Sequence, residues 1–249
     1  MGCSASKELD ERGNILEPPK DAKVSPKKLE KMLKKYEIDP RPCVDEHYHL
    51  VLDNKKHSKN VHKFLHNVKM LKFPPIYKIS IISIGTMTEE GKIDLRHFFQ
   101  NQCPESVQVV YLEAGDWLLD TYAFEEGLPN LLNAVTKHLY LKSWYLSEMG
   151  LKTIFNETFK ATHITLDHCN IGELFDTFKF DLNREFKLSH LSLYGTAGKK
   201  NDNRFNQPKL NRLANELSKT TMKSSLRNIH VKETDYPATK VRDLFDNKG

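Results

Sequence analysis

The chain has few cysteines and no long run of apolar residues. Its 249 residues include four cysteines, Cys3, Cys43, Cys103 and Cys169, which form no Cys-x-x-Cys pair and are too scattered to suggest a disulfide framework. We therefore expect a reducing, intracellular setting. No apolar run approaches the ~20 residues of a membrane-spanning helix, and the N-terminus lacks the apolar core of a secretory signal.

The sequence also lacks the motifs of the common enzyme classes. It contains no Gly-x-Gly-x-x-Gly, no phosphate-binding loop, no Gly-x-Ser-x-Gly and no His-Glu-x-x-His. Cys43 and Cys103 have no nearby base that would activate a thiolate. The sequence therefore predicts a protein that is not an enzyme and that needs no cofactor. An enzyme with an α/β core and an unrecognised site is kept as an alternative.

Positive charge is in excess, with a net charge of +5, and most of it is lysine. Few arginines and no interleaved aromatics mean that base reading or stacking on nucleic acid is not indicated, whereas diffuse attraction to an anionic surface fits. A second basic run covers residues 55–72. The first run contains seven lysines, which are Lys20, Lys23, Lys27, Lys28, Lys31, Lys34 and Lys35.

A short alternating pattern recurs along the chain with one predicted strand in each period. Histidine precedes the first apolar residue in three of these strands, at His138, His163 and His190. Between the second apolar residues the steps are 32, 28, 29, 25, 27 and 38 residues, which is typical of a solenoid. The apolar pairs are Leu50/Leu52, Ile82/Ile84, Val110/Leu112, Leu139/Leu141, Ile164/Leu166, Leu191/Leu193 and Ile229/Val231.

Most units also carry an apolar residue three positions before the first member of the pair. The pattern is clearest at Leu188-Ser-His-Leu-Ser-Leu193 and Leu226-Arg-Asn-Ile-His-Val231, whereas His47 and Thr136 break it. Helix-compatible apolar spacing follows the strands over 128–135, 149–159, 171–178 and 210–217.

These features resemble a degenerate leucine-rich repeat of the ribonuclease-inhibitor-like class over residues 46–235. The resemblance implies an α/β solenoid of about six or seven units over 46–249, with a curved parallel sheet on the concave face and helices on the convex face. Such proteins usually place Asn or Cys three residues after the second strand leucine, and only Cys169 meets this here. The competing fold is a doubly wound α/β domain, whose strands would be continuous apolar runs, and only Ile76–Ile84 has that composition.

In such strands the residues between the apolar positions share the opposite face of the sheet. The resemblance implies that this polar face binds a protein partner. The committed partner-binding residues are Tyr111, Glu113, His138, Tyr140, Lys142, His163, Thr165, Asp167, His190, Ser192, Tyr194, His230 and Lys232.

Two groups of histidines raise the question of a metal site. Side chains on adjacent strands run parallel and do not converge, so the three strand histidines predict a binding surface in preference to a zinc site. The cluster Asp45-Glu46-His47-Tyr48-His49 could supply three ligands but has no matching partner motif, so we interpret it as a polar strand entry. No metal is predicted.

The N-terminus carries the Met-Gly-x-x-x-Ser pattern of N-myristoylation. Gly2 would accept the myristoyl chain, and the adjacent Cys3 is a candidate palmitoylation site. Because one acyl chain binds membranes only marginally, the second chain and the lysine cluster would stabilise the anchor. Residues 1–24 are then an acylated flexible tether.

Residues 25–45 are predicted to form a basic amphipathic helix. Ser25 and Pro26 supply an N-cap and a first-turn proline, and the apolar residues from Leu29 to Tyr36 follow at helical spacing. The helix could cap the first repeat or lie on lipid, and the capping role is favoured.

Together these features predict a lipid-anchored scaffold or adaptor on the cytoplasmic face of a plasma or organelle membrane, binding a protein partner and no nucleic acid. The alternative is an inhibitor or activator of a membrane-associated enzyme or small GTPase.

Overall fold

The computed structural model describes residues 24–38, 41–42, 48–68, 71–74, 76–102, 107–115, 119–171, 184–195 and 207–232. Short 3-10 segments cover Ile84–Thr86 and Thr121–Phe124. The strands are β1 (Arg41–Pro42), β2 (Tyr48–Asp53), β3 (Ile76–Ile82), β4 (Val107–Glu113), β5 (Val135–Lys142), β6 (Tyr145–Leu146), β7 (His163–Asp167), β8 (Asn170–Ile171), β9 (His190–Tyr194) and β10 (Asn228–Lys232). The helices are α1 (Pro26–Lys35), α2 (Asn54–Val68), α3 (Glu89–Gln102), α4 (Leu128–Ala134), α5 (Glu148–Glu157), α6 (Gln207–Ser218) and α7 (Met222–Ser225).

The fold is α/β, with one main sheet in the order β1-β2-β3-β4-β5-β7-β9-β10. Seven of its strands are parallel and lie in chain order, while β1 is antiparallel to β2. Parallel neighbours need a crossover between them, and helices α2 to α5 fill the crossovers from β2 to β7. The short strands β6 and β8 form a second, two-stranded sheet.

The main sheet has one apolar and one polar face. The strand pairs Leu139/Leu141, Leu191/Leu193 and their counterparts are buried in a single core that also contains the inward sides of α1 to α5. Helix α5 shows why these segments form helices, because Ser147 caps its N-terminus while Leu151, Ile154 and Phe155 recur at helical spacing and are buried. Met149, in the apolar spacing predicted for the same helix, is instead exposed.

The predicted phase of the second unit was wrong. The register pairs Ile79 with Val110 and Ile81 with Leu112, so the core pair is Ile79/Ile81 and not Ile82/Ile84. Steps between the second apolar residues therefore become 29, 31, 29, 25, 27 and 38 residues. Isoleucine recurs so often between 76 and 84 that several phases satisfy alternation equally.

Thr136 also does not break the leading apolar position as predicted. A register shift between β4 and β5 places Val135 opposite Val107, and both valines are fully buried. One extra residue therefore restores the apolar contact, which is the usual effect of a β-bulge.

A chain of aromatic rings runs through the core and links successive units. Neighbouring ring centroids lie 5.8 to 6.2 Å apart, from α1 through α2 and α3 to the turn after β5. Such edge and tilted contacts stabilise beyond the area they bury. The rings, in order of contact, are Tyr36, Phe64, Phe73, Phe98, Phe99, Phe124 and Trp144.

The turns after β5 and β7 are fixed by side-chain donors at one equivalent position. The Trp144 indole donates to the carbonyl of Leu112 at 3.0 Å, and the Cys169 thiol donates to the carbonyl of Leu141 at 3.5 Å. Each donor therefore binds the second apolar residue of the strand before its own. Trp144 thus makes a contact that the predicted pattern assigned to Asn or Cys, and Trp117 lies outside the described residues.

Helix α1 is packed into the core by its apolar side. Ser25 accepts a hydrogen bond from the Lys28 amide as N-cap, and Leu29 and Leu33 are fully buried. This side of the helix is therefore not available to lipid in this conformation. The predicted tether, the helix predicted over 171–178 beyond Ile171, and the segment 196–206 lie outside the described residues.

Candidate partner-binding face

The polar face of the main sheet consists of three rows of side chains that cross the strands. The strand register places the committed residues in these rows as predicted. The histidine row is His49, Lys78, Val109, His138, His163, His190 and Asn228. The central row is Val51, Ser80, Tyr111, Tyr140, Thr165, Ser192 and His230. The carboxyl-end row is Glu113, Lys142, Asp167, Tyr194 and Lys232.

The imidazoles of the histidine row are in contact with one another. His163 and His190 stack with centroids 4.3 Å apart and planes 5° from parallel, and His138 lies 5.7 Å from His163. His138 shares a hydrogen bond of 2.9 Å with Thr165, while Asn228 and His190 share one of 2.8 Å. The row is therefore ordered by ring stacking and by hydrogen bonds to neighbouring strands.

This stacking disfavours positive charge on the imidazoles. Burial lowers the pKa of His138 below its ordinary value, and the adjacent His163 and Lys78 lower it further. Burial also lowers the pKa of His163, and the neighbouring His190 acts in the same direction. The two histidines are therefore held neutral at a pH where a free histidine would begin to protonate.

Tyrosine and carboxylate side chains pair at the carboxyl ends of β4, β5 and β7. The Tyr111 hydroxyl donates to Glu113 at 2.6 Å, and the Tyr140 hydroxyl donates to Asp167. Burial and then these hydrogen bonds raise the pKa of both tyrosines above its ordinary value, so both remain donors. The Tyr111 and Tyr140 rings lie 5.0 Å apart, which joins the two pairs into one cluster.

Charge in this cluster is largely compensated within it. Lys142 lies 3.6 Å from Glu113, and His168, in the turn after β7, contacts the Asp167 carboxylate. Asp167 and Thr165 are buried although they lie on the polar face, so the middle of the face is well packed. A partner would meet mainly rings, hydroxyls and partly exposed imidazoles.

The cluster contains neither an activated thiol nor a metal-ligand set among the residues that the structure describes. Burial raises the pKa of the Cys169 thiol to about 12, so this cysteine is a packed hydrogen-bond donor and not a nucleophile. Within the described ranges no three His, Cys, Asp or Glu side chains converge as a metal site would require. In the cluster at 45–49, residues 45–47 lie outside those ranges.

The residues committed to membrane attachment fall in two groups. Gly2, Cys3, Lys20 and Lys23 lie outside the described residues. The other five lysines, Lys27, Lys28, Lys31, Lys34 and Lys35, are exposed on α1. Among the described helices, none combines the length and apolar character needed to span a bilayer.

Sequence reasoning missed two features of the site. The indole of Trp144 fixes the turn beside Lys142, and a left-handed residue occurs two positions after the second apolar residue in three units. These residues are Ser83, Ser143 and His168, with φ of 59°, 58° and 51°. Non-glycine residues rarely adopt this conformation, and no sequence signal marked them beyond the shared turn position.

Comparisons with protein-family models, with curated proteins and with solved structures found no match to this chain.

Proposed function

We propose that the protein is a membrane-anchored, non-catalytic adaptor that binds a protein partner through the polar face of its sheet. The observation that carries this proposal is the set of three rows, in which polar and aromatic side chains stand in register across neighbouring parallel strands. Ordered, partly exposed aromatic and hydroxyl groups offer contact area at a low entropic cost on binding.

We further infer that the sheet and its helices form a curved solenoid of leucine-rich-repeat type. Three features support this inference: strands in chain order, the steps of 25 to 38 residues, and the donors Trp144 and Cys169 at one turn position. Small-angle X-ray scattering tests it, because an open array gives a more elongated distance distribution than a closed barrel. A distribution typical of a sphere would contradict it.

Site-specific photocrosslinking tests the proposed binding face. A photoreactive amino acid at Ser192 or His230 lies on the polar face, whereas the same group at Tyr122 or Met149 lies at exposed positions outside it. We expect one discrete crosslinked species from the first two positions in membranes, and none from the others. Equal crosslinking from all four positions would contradict the proposal. If the partner is an enzyme or a GTPase whose turnover changes on binding, the protein is its regulator.

The anchor is tested by fractionating cells that express the wild type, Gly2→Ala or Cys3→Ser. We expect the wild type in the membrane pellet and both variants largely soluble, because one acyl chain alone binds only marginally. A soluble wild type would contradict the acyl anchor and leave the polar face as the whole of the proposed function.

A further inference from the structure

Charge is divided unequally along the molecule. Helices α1 and α2 contain nine lysines and one glutamate, which gives the two helices a net charge of +8. Residues 89–157, which include α3 to α5, contain eleven acidic and five basic residues, a net charge of −6. The overall charge of +5 therefore conceals a strongly basic end and an acidic middle.

The fold brings the two basic helices together. The rings of Tyr36, after α1, and Phe64, in α2, lie 6.0 Å apart, and Asn60 donates to the Glu37 carboxylate at 3.1 Å. The amide of Val24, before α1, donates to the carbonyl of Lys72 at 2.8 Å. Two basic segments separated in sequence thus form one surface at the β2 end of the sheet.

Most of these lysines point to solvent without an acidic partner. Lys34 pairs with Glu30 at 2.8 Å, and Lys56 lies 3.8 Å from Asp53. Within the described part of the chain no ion pair involves the remaining lysines of this surface. They are Lys27, Lys28, Lys31, Lys35, Lys55, Lys59, Lys63 and Lys72, and all are exposed.

We propose that α1 and α2 form a single surface that binds anionic phospholipid headgroups, with the lysines of α2 contributing as much as those of α1. The proposal deepens the proposed function, since it treats the membrane as the place where the protein works, but it does not depend on the acyl chains. Exposed lysines near an anionic leaflet each raise affinity about fivefold.

A membrane fits this surface better than a nucleic acid. The surface carries lysine without arginine on either helix, and its aromatic residues, Tyr36 and Phe64, are packed inward and do not stand between the lysines. Nucleic-acid sites combine their charge with stacking rings or with arginine forks, whereas lysines suffice for a diffuse headgroup layer.

The location of the surface is compatible with partner binding at the same time. Strand β7, at the centre of the histidine contacts, lies four strands from β2, or about 19 Å at the usual strand spacing. Lipid bound at the α1–α2 end would therefore leave the rows at β7 and β9 free.

The test uses the full chain without acylation and vesicles of phosphatidylcholine with or without phosphatidylserine. The α2 variant replaces Lys55, Lys56, Lys59 and Lys63 by Gln. A control variant removes the same number of charges elsewhere, from the exposed residues Lys160, Lys187, Lys219 and Lys223. A version of the α2 variant with Arg at the four positions keeps the charge and tests whether the altered helix still folds.

We expect the wild type to bind only the vesicles with phosphatidylserine, and to be released when ionic strength rises from about 0.1 to about 1 M. The Gln variant of α2 should bind at least ~10-fold more weakly, the control less than ~2-fold, and the Arg variant like the wild type. Equal losses in the α2 and control variants would overturn the proposal, and so would tighter binding to single-stranded RNA than to the vesicles. If the unacylated chain binds no vesicles while the myristoylated chain binds both kinds equally, this surface is excluded and the proposed acyl anchor stands.

Discussion

The two faces of the main sheet are built from the same strands but hold their side chains by different forces. On the apolar face, shape determines the packing, and the ring chain from Tyr36 to Trp144 continues that packing from unit to unit. On the polar face, order comes from hydrogen bonds and stacking between residues that remain partly exposed, such as His163 and His190. Loss of an apolar contact should therefore unfold the protein, whereas loss of a polar contact should change its surface.

The largest effect should come from the ring chain. Phe124→Ala removes a fully buried ring between Phe99 and Trp144 and leaves a cavity, so we expect the free energy of unfolding to fall by about 3–5 kcal/mol. Urea denaturation followed by circular dichroism measures it. The control is Tyr122→Ala in the same 3-10 segment, whose ring is 54% exposed and should contribute less than ~0.5 kcal/mol. Similar losses in both variants would mean that the chain of rings has no special role.

The turn donor should have a smaller effect. Trp144→Phe keeps an aromatic ring against Phe124 but leaves the buried carbonyl of Leu112 without its indole donor. An unsatisfied buried acceptor costs about 1–3 kcal/mol, and the same denaturation experiment measures the loss. A change below ~0.5 kcal/mol would show that water or a neighbouring group replaces the indole, and that Trp144 acts through its volume alone.

The polar face could be predicted more completely from the sequence than the apolar face. Alternation fixes which residues share a face, so the order from His138 to Asn228 followed once the strands from β5 onwards were aligned. The second unit could not be phased, because the isoleucines between 76 and 84 satisfy several registers. Only contacts with neighbouring strands select among them.

The apolar face depends on contacts that no periodicity encodes. Val135 reaches its place through a register shift, and the rings of Phe98 and Phe124 meet across different helical segments. Trp144 replaces an expected asparagine or cysteine because a long side chain with one donor can reach the same carbonyl. Such substitutions depend on three-dimensional reach, so sequence spacing alone does not reveal them.

A change of pH should affect the polar face selectively. Because His138 and His163 have pKa values below the ordinary value of 6.5, the unfolded chain takes up protons more readily than the folded protein. Stability should be constant above about pH 6.5 and fall as the pH decreases toward the lowered values. Urea denaturation at a series of pH values measures this fall. His163→Gln should make it shallower, whereas His57→Gln, at an exposed position on α2, should not. An unchanged pH profile in His163→Gln would exclude this origin.

The smallest effect on stability should come from the exposed end of the polar face, where the effect on binding should be largest. His230 is exposed beside Tyr194, whose ring it meets edge-on at 5.6 Å, so His230→Ala should change the free energy of unfolding by less than ~0.5 kcal/mol. Met149→Ala, which is 57% exposed on α5, should be equally mild. Titration with the purified crosslinked partner separates the two, since a central contact is worth about 1–2 kcal/mol or more in binding. His230→Ala should weaken the complex about tenfold, and Met149→Ala should leave it unchanged. If Met149→Ala were the variant that weakened the complex, the helices and not the polar rows would form the binding surface.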